Sequence, residues 1–511
     1  MTLETNLSDV VNKIDQSFYF DAATGEHSFD RQNENQIQIP AIPVSHLGSR
    51  AFQKRYNLKG PYVSGSMASG IASVEIVESI AKAGFLGFFG AAGLPIERVT
   101  TAIDRLQSSL ADTTFGVNLI HSPQEPEMES QIVELFIQKG IKIIEASAFM
   151  GLTLPIIHYR ASGFEQLSNG EVRCNHRVMA KISRVEVATK FMSPPPAEML
   201  RQLVDTGKIT PLQAELASKF PVADEVTAEA DSGGHTDNRP ALALIPSIVS
   251  LRNRLQAEYN YENTPLIGAA GGISTPESAA AAFSLGASYI VTGSVNQACR
   301  EAGTSDTVKE MLAGTEQADV VMAPAADMFE MGVKVQVVKR GTMFAMRGNK
   351  LYELYKKYGN IDALPDNERT TLEKQFFKKP LAAAWQDCCD FFTKRDPNQI
   401  IKAEKDPRHK MALLFRAYLG QASKWATSGD ASRKLDYQVW CGPAMGAFNE
   451  WTKGSFLEKA SERHADVVAM NLLYGAAALK RREIMGAVGF ETQNLAPLRP
   501  MQKTELEPYF N

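Results

Sequence analysis

The stretch PLIGAAGGISTPESAAAAFSLGASYIVTGS, residues 265–294, decides the fold of this chain. It begins with a short apolar run that breaks at the pair Gly271-Gly272, and a second apolar run breaks at Gly293-Ser294. The alanine-rich segment between the two runs favours a helix. The pattern therefore predicts a strand–helix–strand unit in which both strands end at glycine turns.

Both turns suit a phosphate group. Glycine lets main-chain N–H groups approach an anion, and a helix that begins behind the turn adds the positive end of its dipole. In a (β/α)8 barrel, paired turns after strands 7 and 8 form the usual phosphate site. We therefore predict that Gly271, Gly272, Gly293 and Ser294 bind a phosphate. The alternative is that these glycines only end strands of an ordinary α/β sheet.

Composition and charge exclude several classes of protein. With 44% hydrophobic and 22% charged residues among 511, the chain is globular and longer than one average domain. A net charge of −4 argues against general nucleic-acid binding. The five cysteines are an odd number without metal-ligand spacing, which predicts neither disulfides nor a metal site. We find no signal peptide and no membrane span, and expect a cytoplasmic protein.

Short apolar segments alternate with helical patterns from residue 62 onward. The predicted strands are 62–67, 86–89, 114–120, 142–147, 178–183, 225–230, 266–269 and 289–291. Eight strands that alternate with helices predict an α/β fold of the (β/α)8 TIM-barrel type. A doubly wound sheet is the competing fold, and the strand count disfavours it.

The chain divides into three predicted parts. Residues 1–60 read as an N-terminal extension, and residues 61–325 as the barrel with a proline-led helical insertion near 193–220. Residues 326–511 read as a mainly helical domain that would cover the barrel mouth and bind the substrate or a carrier protein.

The predicted strand ends bring together few reactive side chains. They offer His235, Lys181 and many backbone amides, but no carboxylate pair for glycoside hydrolysis, no metal-ligand cluster and no nucleophile elbow. This set favours a phosphate-bearing cofactor that supplies its own reactivity.

Each of the single residues has two interpretations. Lys181 could stand beside the pyrimidine edge of a flavin and stabilise its anionic reduced form, or extend out of the barrel into water. His235 is either catalytic or a surface histidine in a polar turn. Asn118 could bind a flavin ring or simply hold a turn.

Several segments resemble a known superfamily. They are MASG at 67–70, KAGFLGFFGAAG at 82–93, FGVNLI at 115–120, EADSGGH at 229–235, GAAGGI at 268–273 and LGASYIVTGS at 285–294. All resemble the nitronate monooxygenase (2-nitropropane dioxygenase-like) superfamily of FMN-binding barrels, which includes flavin-dependent enoyl-acyl-carrier-protein reductases. The segment VMAKISR at 178–184, the insertion from Ser193 and KRGTMFAMRGNKLYELYKKYG at 339–359 resemble its PfaD family, the trans-acting enoyl reductases of polyunsaturated fatty acid and polyketide synthases.

The resemblance implies an FMN-dependent, NADPH-linked enoyl-acyl-carrier-protein reductase. Hydride would pass from reduced flavin to the β-carbon of a trans-2-enoyl thioester on an acyl carrier protein, and His235 would polarise the thioester carbonyl or supply the proton. The residues assigned to the cofactor are Met67, Ala68, Asn118, Lys181, Ser232, Gly233, Gly271, Gly272, Gly293 and Ser294, with Lys181 assigned from its chemistry.

The expected partner is the acidic acyl carrier protein of a synthase, which calls for a basic docking surface. The candidates are Lys339, Arg340, Arg347, Lys350, Lys356 and Lys357. The alternative is a solvated helix face. A homodimer is one assembly that these features allow.

Two other functions remain open from the sequence. Nitronate oxidation would use the same FMN barrel with oxygen as the electron acceptor. A non-catalytic subunit would hold flavin for structure while its helical domain binds synthase partners.

Overall fold

A computed structural model of the chain describes residues 7–21, 23–111, 113–123, 126–492 and 495–511. Their contacts form two compact units. The first unit holds the residues up to 232 together with 236–303 and 447–511, and the second holds 233–235 and 304–446. Each unit has a hydrophobic core of its own.

Eight parallel strands in the first unit close into a barrel. They are β1 Tyr62–Ser64, β2 Leu86–Phe89, β3 Gly116–Ile120, β4 Ile143–Ser147, β5 Arg177–Ile182, β6 Glu225–Glu229, β7 Leu266–Ala270 and β8 Tyr289–Thr292. Neighbours around the barrel are neighbours along the chain, and β8 pairs with β1. The predicted (β/α)8 TIM barrel is confirmed.

A helix closes the N-terminal end of the barrel. Phe52, on the helix Arg50–Tyr56, is fully buried, and its ring stacks on Tyr289 with centroids 4.3 Å apart. Val63 and Met179 belong to the same buried cluster. The barrel interior at this end is therefore a packed core, as expected for a barrel of eight strands.

Helices connect the barrel strands. They are Val74–Lys82, Ile96–Ser109, Pro126–Gln138, Leu154–Ser162, Val185–Met192, Ala197–Asp205, Pro211–Ala217, Ala241–Tyr259 and Pro276–Ser284, and the short helix Ser294–Gln297 follows β8. Two of them, Ala197–Asp205 and Pro211–Ala217, lie between β5 and β6 in the proline-led segment. Thr210 forms a capping box with Gln213 at the start of the second, which fixes where that helix begins.

The remaining elements of the first unit lie outside the barrel. At the N-terminal side they are the helix Leu7–Asn12, the antiparallel strands Phe18–Phe20, His27–Ser28 and Ile37–Ile39, the 3-10 turn Val44–His46 and the helix Arg50–Tyr56. The strands Phe164–Gln166 and Val172–Cys174 form a hairpin before β5. At the C-terminal side they are the helix Ala444–Thr452, which begins in the second unit, the helices Ala465–Ala487 and Lys503–Leu506 and the 3-10 turns Phe456–Glu458, Ala460–Glu462 and Glu507–Phe510.

The C-terminal helix Ala465–Ala487 packs against the barrel helix Pro276–Ser284. A Cβ atom on Gly475 would lie 2.6 Å from side-chain atoms of Pro276, so the two helices approach closely only because residue 475 is glycine. The unit boundary therefore differs from the domain expected at 326–511, since residues 447–511 belong with the barrel.

The second unit combines a hairpin with helices. Its strands β9 Val320–Pro324 and β10 Lys334–Val338 are antiparallel. Its helices are Asp306–Ala313, Phe344–Tyr358, Asp366–Thr371, Leu381–Arg395, Asn398–Lys405 and Pro407–Ser428, with a π-helical turn Leu372–Phe377 and 3-10 turns Gln317–Asp319, Ile361–Ala363 and Ala431–Asp436. Phe329, Leu351 and Phe415 are fully buried in its core. Among the described helices of either unit, none has the length and hydropathy that a membrane span needs.

Candidate active site

The two glycine turns lie side by side at the C-terminal edge of the barrel. Ala270 of β7 is in register with Val291 of β8, so Gly271-Gly272 and Gly293 follow neighbouring strands at one height. Gly271 and Gly272 have φ angles of 85° and 77°, which L-residues with a side chain rarely adopt. At Gly272 and Gly293 no described atom lies within 4 Å of where a Cβ atom would stand. The exposed main chain faces open space, as an anion site requires.

The helix Pro276–Ser284 begins directly behind the first of these turns. Thr275 is its N-cap and forms a capping box with Ser278. The hydroxyl of Ser274 in the same turn is buried and has no hydrogen-bond partner among the described residues. Ser294 begins a helix of four residues after the second turn. The residues of both turns therefore fit a phosphate, and Ser274 adds a hydroxyl that the sequence analysis did not single out.

The loop after β1 adjoins the second glycine turn. The Gly65 main-chain N–H donates to the Thr292 carbonyl over 3.0 Å. Farther along the loop, the Ala72 N–H donates to the Met67 carbonyl over 3.1 Å. A Cβ atom on Gly90 would lie 1.8 Å from the Met67 oxygen, so only glycine fits at that position. The close approach fixes the partly exposed Met67 at the same edge of the barrel.

Ala68 lies in the loop after β1, and Asn118 lies within β3. Ala68 is partly exposed, and its carbonyl accepts from the Ile71 N–H over 3.2 Å. The Asn118 side chain is buried, and its Nδ2 donates to the Glu145 carbonyl and to the Ser147 hydroxyl, each over 3.0 Å. Asn118 therefore holds β3 against β4.

A lysine between two carboxylates occupies the barrel interior near this edge. The Lys181 Nζ lies 3.6 Å from Glu145 Oε2 and 3.6 Å from Glu229 Oε1. Burial lowers the pKa of Lys181, but the two carboxylates outweigh burial and raise it, so the ammonium group is charged. The Lys181 side chain is 13% exposed, so it is held in the barrel rather than extended into water.

Glu145 is fully buried and incompletely satisfied. The Ser66 N–H donates to its Oε2 over 2.9 Å, and the Ser66 hydroxyl donates to the same oxygen. Its Oε1 has no partner in the part of the chain that the structure describes. A buried acceptor without a donor is costly, so this oxygen fits a ligand that brings an N–H group. The sequence analysis missed Glu145 and Glu229; the available signal was a carboxylate within each of the apolar strands IIEAS and EVTAE.

The turn after β6 divides between the two units. Ser232 is partly exposed and belongs to the first unit. Gly233 belongs to the second unit, where a Cβ atom would lie 3.0 Å from the Cys441 nitrogen. The structure therefore explains glycine at 233 by the passage of another main chain.

His235 is held by groups of the second unit. Its Nε2 lies 3.0 Å from Asp327 Oδ1, and its ring meets the edge of Trp440 with centroids 5.9 Å apart. Burial raises the pKa of Asp327, but the contact with His235 outweighs burial and leaves that pKa below its usual value. The histidine side chain is 12% exposed. A histidine oriented by a carboxylate is an arrangement suited to proton transfer or to polarising a carbonyl.

The predicted basic surface is wrong at Arg347. This side chain is buried, and its guanidinium group binds Asp436 and lies over the Phe376 ring. Lys350 is engaged by Glu368 at 2.7 Å. Helical spacing alone did not reveal these partners, because both come from elsewhere in the chain.

The remaining basic candidates are exposed. Lys339 and Arg340 are exposed, with Arg340 Nη1 3.3 Å from Asp319 Oδ2. Lys356 and Lys357 line an open cavity of about 820 Å³. Its other lining residues are Lys334, Asn349, Tyr352 and Glu353.

Two family models match the chain. The model described as nitronate monooxygenase matches residues 54–347. The model described as the inserted helical domain of [acyl-carrier-protein] S-malonyltransferase matches residues 358–437.

Curated relatives are components of synthases by name. A polyunsaturated fatty acid synthase subunit of Thraustochytrium sp. is 48% identical over 94% of this chain and 33% of its own length. Polyketide biosynthesis protein PksE of Bacillus subtilis is 45% identical over 89% of this chain and 59% of its own length. The chain thus spans between a third and three fifths of these relatives.

A solved structure matches along its whole length. The crystal structure of the enoyl reductase domain of MlnA, from the macrolactin biosynthesis cluster of Bacillus amyloliquefaciens, has a TM-score of 0.83 and 39% sequence identity. The match covers 87% of this chain and 100% of that domain.

Proposed function

The chain belongs to the nitronate monooxygenase family, in the PfaD-like branch that contains the enoyl reductase domain of MlnA, and from this premise we propose that it is an FMN-dependent enoyl reductase. Its substrates are trans-2-enoyl thioesters on the acyl carrier protein of a polyunsaturated fatty acid or polyketide synthase. NADPH is the reductant. The names of the synthase relatives and of the MlnA domain support this choice of reaction.

The observation that carries the proposal is the pair of glycine turns beside a buried, incompletely satisfied carboxylate. Gly271, Gly272, Gly293 and Ser294 would hold the phosphate of FMN. The open space at Gly272 and Gly293 supports this assignment. The chemistry that a bound FMN supplies is hydride transfer, from NADPH to the flavin and from the flavin to the β-carbon of the thioester.

The flavin ring would lie along three further groups of the first unit. Met67 and Ala68 would contact its face, and Asn118 would border it. Ser232 and Gly233 would adjoin the cofactor from the turn after β6.

Two charged side chains would recognise the pyrimidine edge of the ring. Lys181 would place a cation there, because its ammonium group is charged and held inside the barrel. The unpartnered Oε1 of Glu145 would accept a hydrogen bond from a ring N–H.

His235 would act on the thioester. With its Nε2 held by Asp327, the imidazole would polarise the thioester carbonyl or supply the proton that the α-carbon needs. The turnover of His235→Ala should fall at least a hundredfold, whereas His46→Ala, which removes an exposed histidine, should match the wild type. Equal turnover of His235→Ala and wild type would refute this role.

The carrier protein is acidic, so a basic surface would receive it. Lys334, Lys356 and Lys357 of the second unit would contribute to that surface, around the cavity that they line. Arg347 would not, because it is buried.

The decisive experiment has two steps without oxygen. The purified protein should show a flavin spectrum that NADPH bleaches, and crotonyl-pantetheine should then restore the colour. A preparation that stays colourless after incubation with FMN would refute the proposal.

The family model also keeps nitronate oxidation as a second candidate. In that case the colour would return only with oxygen, and a nitronate rather than the enoyl thioester would turn over.

A further inference from the structure

A second histidine–carboxylate pair lies at the end of β3, apart from the residues that the proposed function uses. His121 directly follows β3, and its Nδ1 lies 2.9 Å from Oε2 of Glu129. The Thr153 hydroxyl donates to the other oxygen of Glu129. Glu129 is 4% exposed, whereas the His121 side chain is 18% exposed. The carboxylate is thus buried while the imidazole reaches the surface of the first unit.

The position of His121 is fixed through both its main chain and its ring. Its main-chain N–H donates to the Ser147 carbonyl over 3.0 Å, which binds it to the end of β4. Its ring stacks on Phe149 with centroids 5.2 Å apart. Asn118, earlier on the same strand, binds the hydroxyl of Ser147. His121 therefore stands at the C-terminal edge of the barrel, where reacting groups gather in this fold.

The hydrogen bond to Glu129 determines which nitrogen can act. Because a carboxylate only accepts, Nδ1 must carry the proton, and Nε2 is the nitrogen that remains. No described residue binds Nε2 of His121. In an imidazolium both ring nitrogens carry a proton, and the proton on Nε2 is the one that His121 could give up. The arrangement matches the base–orienter pairs of acid–base catalysts.

We propose that His121 is the proton donor of the enoyl reduction, with Glu129 and Thr153 as positioning residues; this assignment rests on the proposed function. When the hydride arrives at the β-carbon, the electron pair of the C=C bond moves to the α-carbon and the thioester carbonyl. The Nε2–H bond then breaks and its proton forms the new C–H bond at the α-carbon. The imidazole is left neutral, and water reprotonates it.

Two substitutions separate proton donation by His121 from its structural contact with Glu129. His121→Asn keeps an amide N–H near the position of Nδ1 and removes Nε2, whereas His121→Gln places an amide near Nε2 and loses the contact with Glu129. Reduction by NADPH and reoxidation by crotonyl-pantetheine are measured separately by anaerobic stopped flow. We expect reduction of His121→Asn within twofold of wild type and reoxidation slower by about 10²–10⁴-fold, the usual contribution of a general acid. Reoxidation of His121→Asn within threefold of wild type would overturn the proposal.

A structural role would give a different result. If His121→Asn lost both half-reactions and melted at a lower temperature, His121 would serve the fold and the proposal would also fall. If the wild type were not reoxidised by the thioester at all, the proposed function itself would fail, and this assignment with it.

A second measurement does not depend on turnover. Diethyl pyrocarbonate modifies accessible imidazole nitrogens, and peptide mass spectrometry gives the rate at His121. Saturated butyryl-pantetheine should slow that rate at least fivefold, because the acyl group would cover Nε2. An unchanged rate would overturn the proposal.

The positioning residues have matched variants. Thr153→Val removes the donor to Glu129, whereas Thr153→Ser keeps it and can still cap the helix Leu154–Ser162. Reoxidation should fall about tenfold in Thr153→Val and in Glu129→Gln and should return to within twofold of wild type in Thr153→Ser. Equal rates in all three variants would refute the positioning role.

Discussion

At the N-terminal end of the barrel every oxygen of the Glu225 and Asp224 carboxylates has a donor, whereas at the C-terminal end Oε1 of Glu145 has none among the residues that the structure describes. Glu225, at the start of β6, receives the Arg55 guanidinium on one oxygen and the Tyr56 hydroxyl on the other. Both donors lie on the helix that closes this end. A glutamate thus has hydrogen-bond donors for both oxygens at one end of the barrel and for only one oxygen at the other.

The neighbouring Asp224 also has hydrogen-bond donors for both of its oxygens. Arg160 binds both of its oxygens, over 2.7 and 3.2 Å, and Arg177 adds a contact of 3.2 Å. Burial raises the pKa of Asp224, but the arginines outweigh burial and lower it. These charges therefore stabilise the fold as a closed network, and both oxygens of the Asp224 carboxylate already accept hydrogen bonds from described residues.

The C-terminal end shares one cation between two carboxylates. Lys181 stands 3.6 Å from both Glu145 and Glu229, distances longer than those at the other end. A buried acceptor such as Oε1 of Glu145, without a donor among the described residues, is unfavourable unless a ligand supplies one. The difference teaches that a charge network whose polar atoms all have partners stabilises the fold, whereas one with an unpartnered atom fits a ligand.

Removal of a cation from the closed network should have the largest effect. Arg160→Met leaves Asp224 without its bidentate partner, and breaking such a buried pair costs about 3–5 kcal/mol. Urea unfolding should show this loss in the free energy of unfolding, while the folded fraction binds FMN as the wild type does. Arg105→Met is the matched control, because its ion pair is exposed and contributes less than about 1 kcal/mol. A loss below about 1 kcal/mol for Arg160→Met would remove the distinction between the two ends.

Removal of Lys181, the cation at the C-terminal end of the barrel, should mainly affect the affinity for FMN. Lys181→Met takes a charged partner from the cofactor, and such hydrogen bonds contribute about 1.5–3 kcal/mol, or about 10–100-fold in FMN affinity. Fluorescence titration of the apoprotein measures this change. Lys190→Met, on an exposed helix position, should bind FMN as the wild type does. Unchanged affinity in Lys181→Met would contradict the assignment of Lys181 to the flavin.

Substituting alanine in the first glycine turn should distinguish backbone strain, which lowers stability, from a clash with the ligand, which lowers FMN affinity. Gly272→Ala and Gly286→Ala each place a side chain at a positive φ, 77° and 98°, and each should lose about 1–2 kcal/mol of stability. Only Gly272→Ala should also weaken FMN binding, because the new Cβ would occupy the open space of the turn. Equal FMN affinity in the two variants would argue against a phosphate at this turn.

Acidification should have the smallest effect, a change in the free energy of unfolding that arises from Asp224. A carboxyl whose pKa is lowered by folding stabilises the protein above its unfolded pKa of about 3.9, and this stability is lost as the pH falls through the lower folded value. The free energy of unfolding should therefore fall with acidification below about pH 4, by at most about 1.4 kcal/mol per pH unit for one group. Asp224→Asn should be less stable near neutral pH and should lack this part of the slope. An identical slope in both proteins would contradict the lowered pKa of Asp224.

Local pattern was sufficient for the barrel and for its glycine turns. Runs such as Leu266–Ala270, with a glycine pair directly behind, specify a strand and its end within a few residues. The partners of charged side chains were not predictable in this way. Glu145, Lys181 and Glu229 come from three strands, and they meet because β4, β5 and β6 pair side by side. Arg347 looked exposed on its helix for the same reason, since Asp436 is remote in sequence.

The close contact of Gly475 with Pro276 bears on the order in which the protein is made. The last barrel strand ends at Thr292, but the helix that covers the barrel helix Pro276–Ser284 begins at Ala465. At about 5–20 residues per second of synthesis, the covering helix leaves the ribosome on the order of ten seconds after the strands that it protects. During this interval the helix Pro276–Ser284, whose Ala279 and Ala280 are buried in the finished protein, lacks its covering helix, so chaperones that bind exposed apolar residues should matter more for the yield of this protein than for that of a barrel whose helices follow in order.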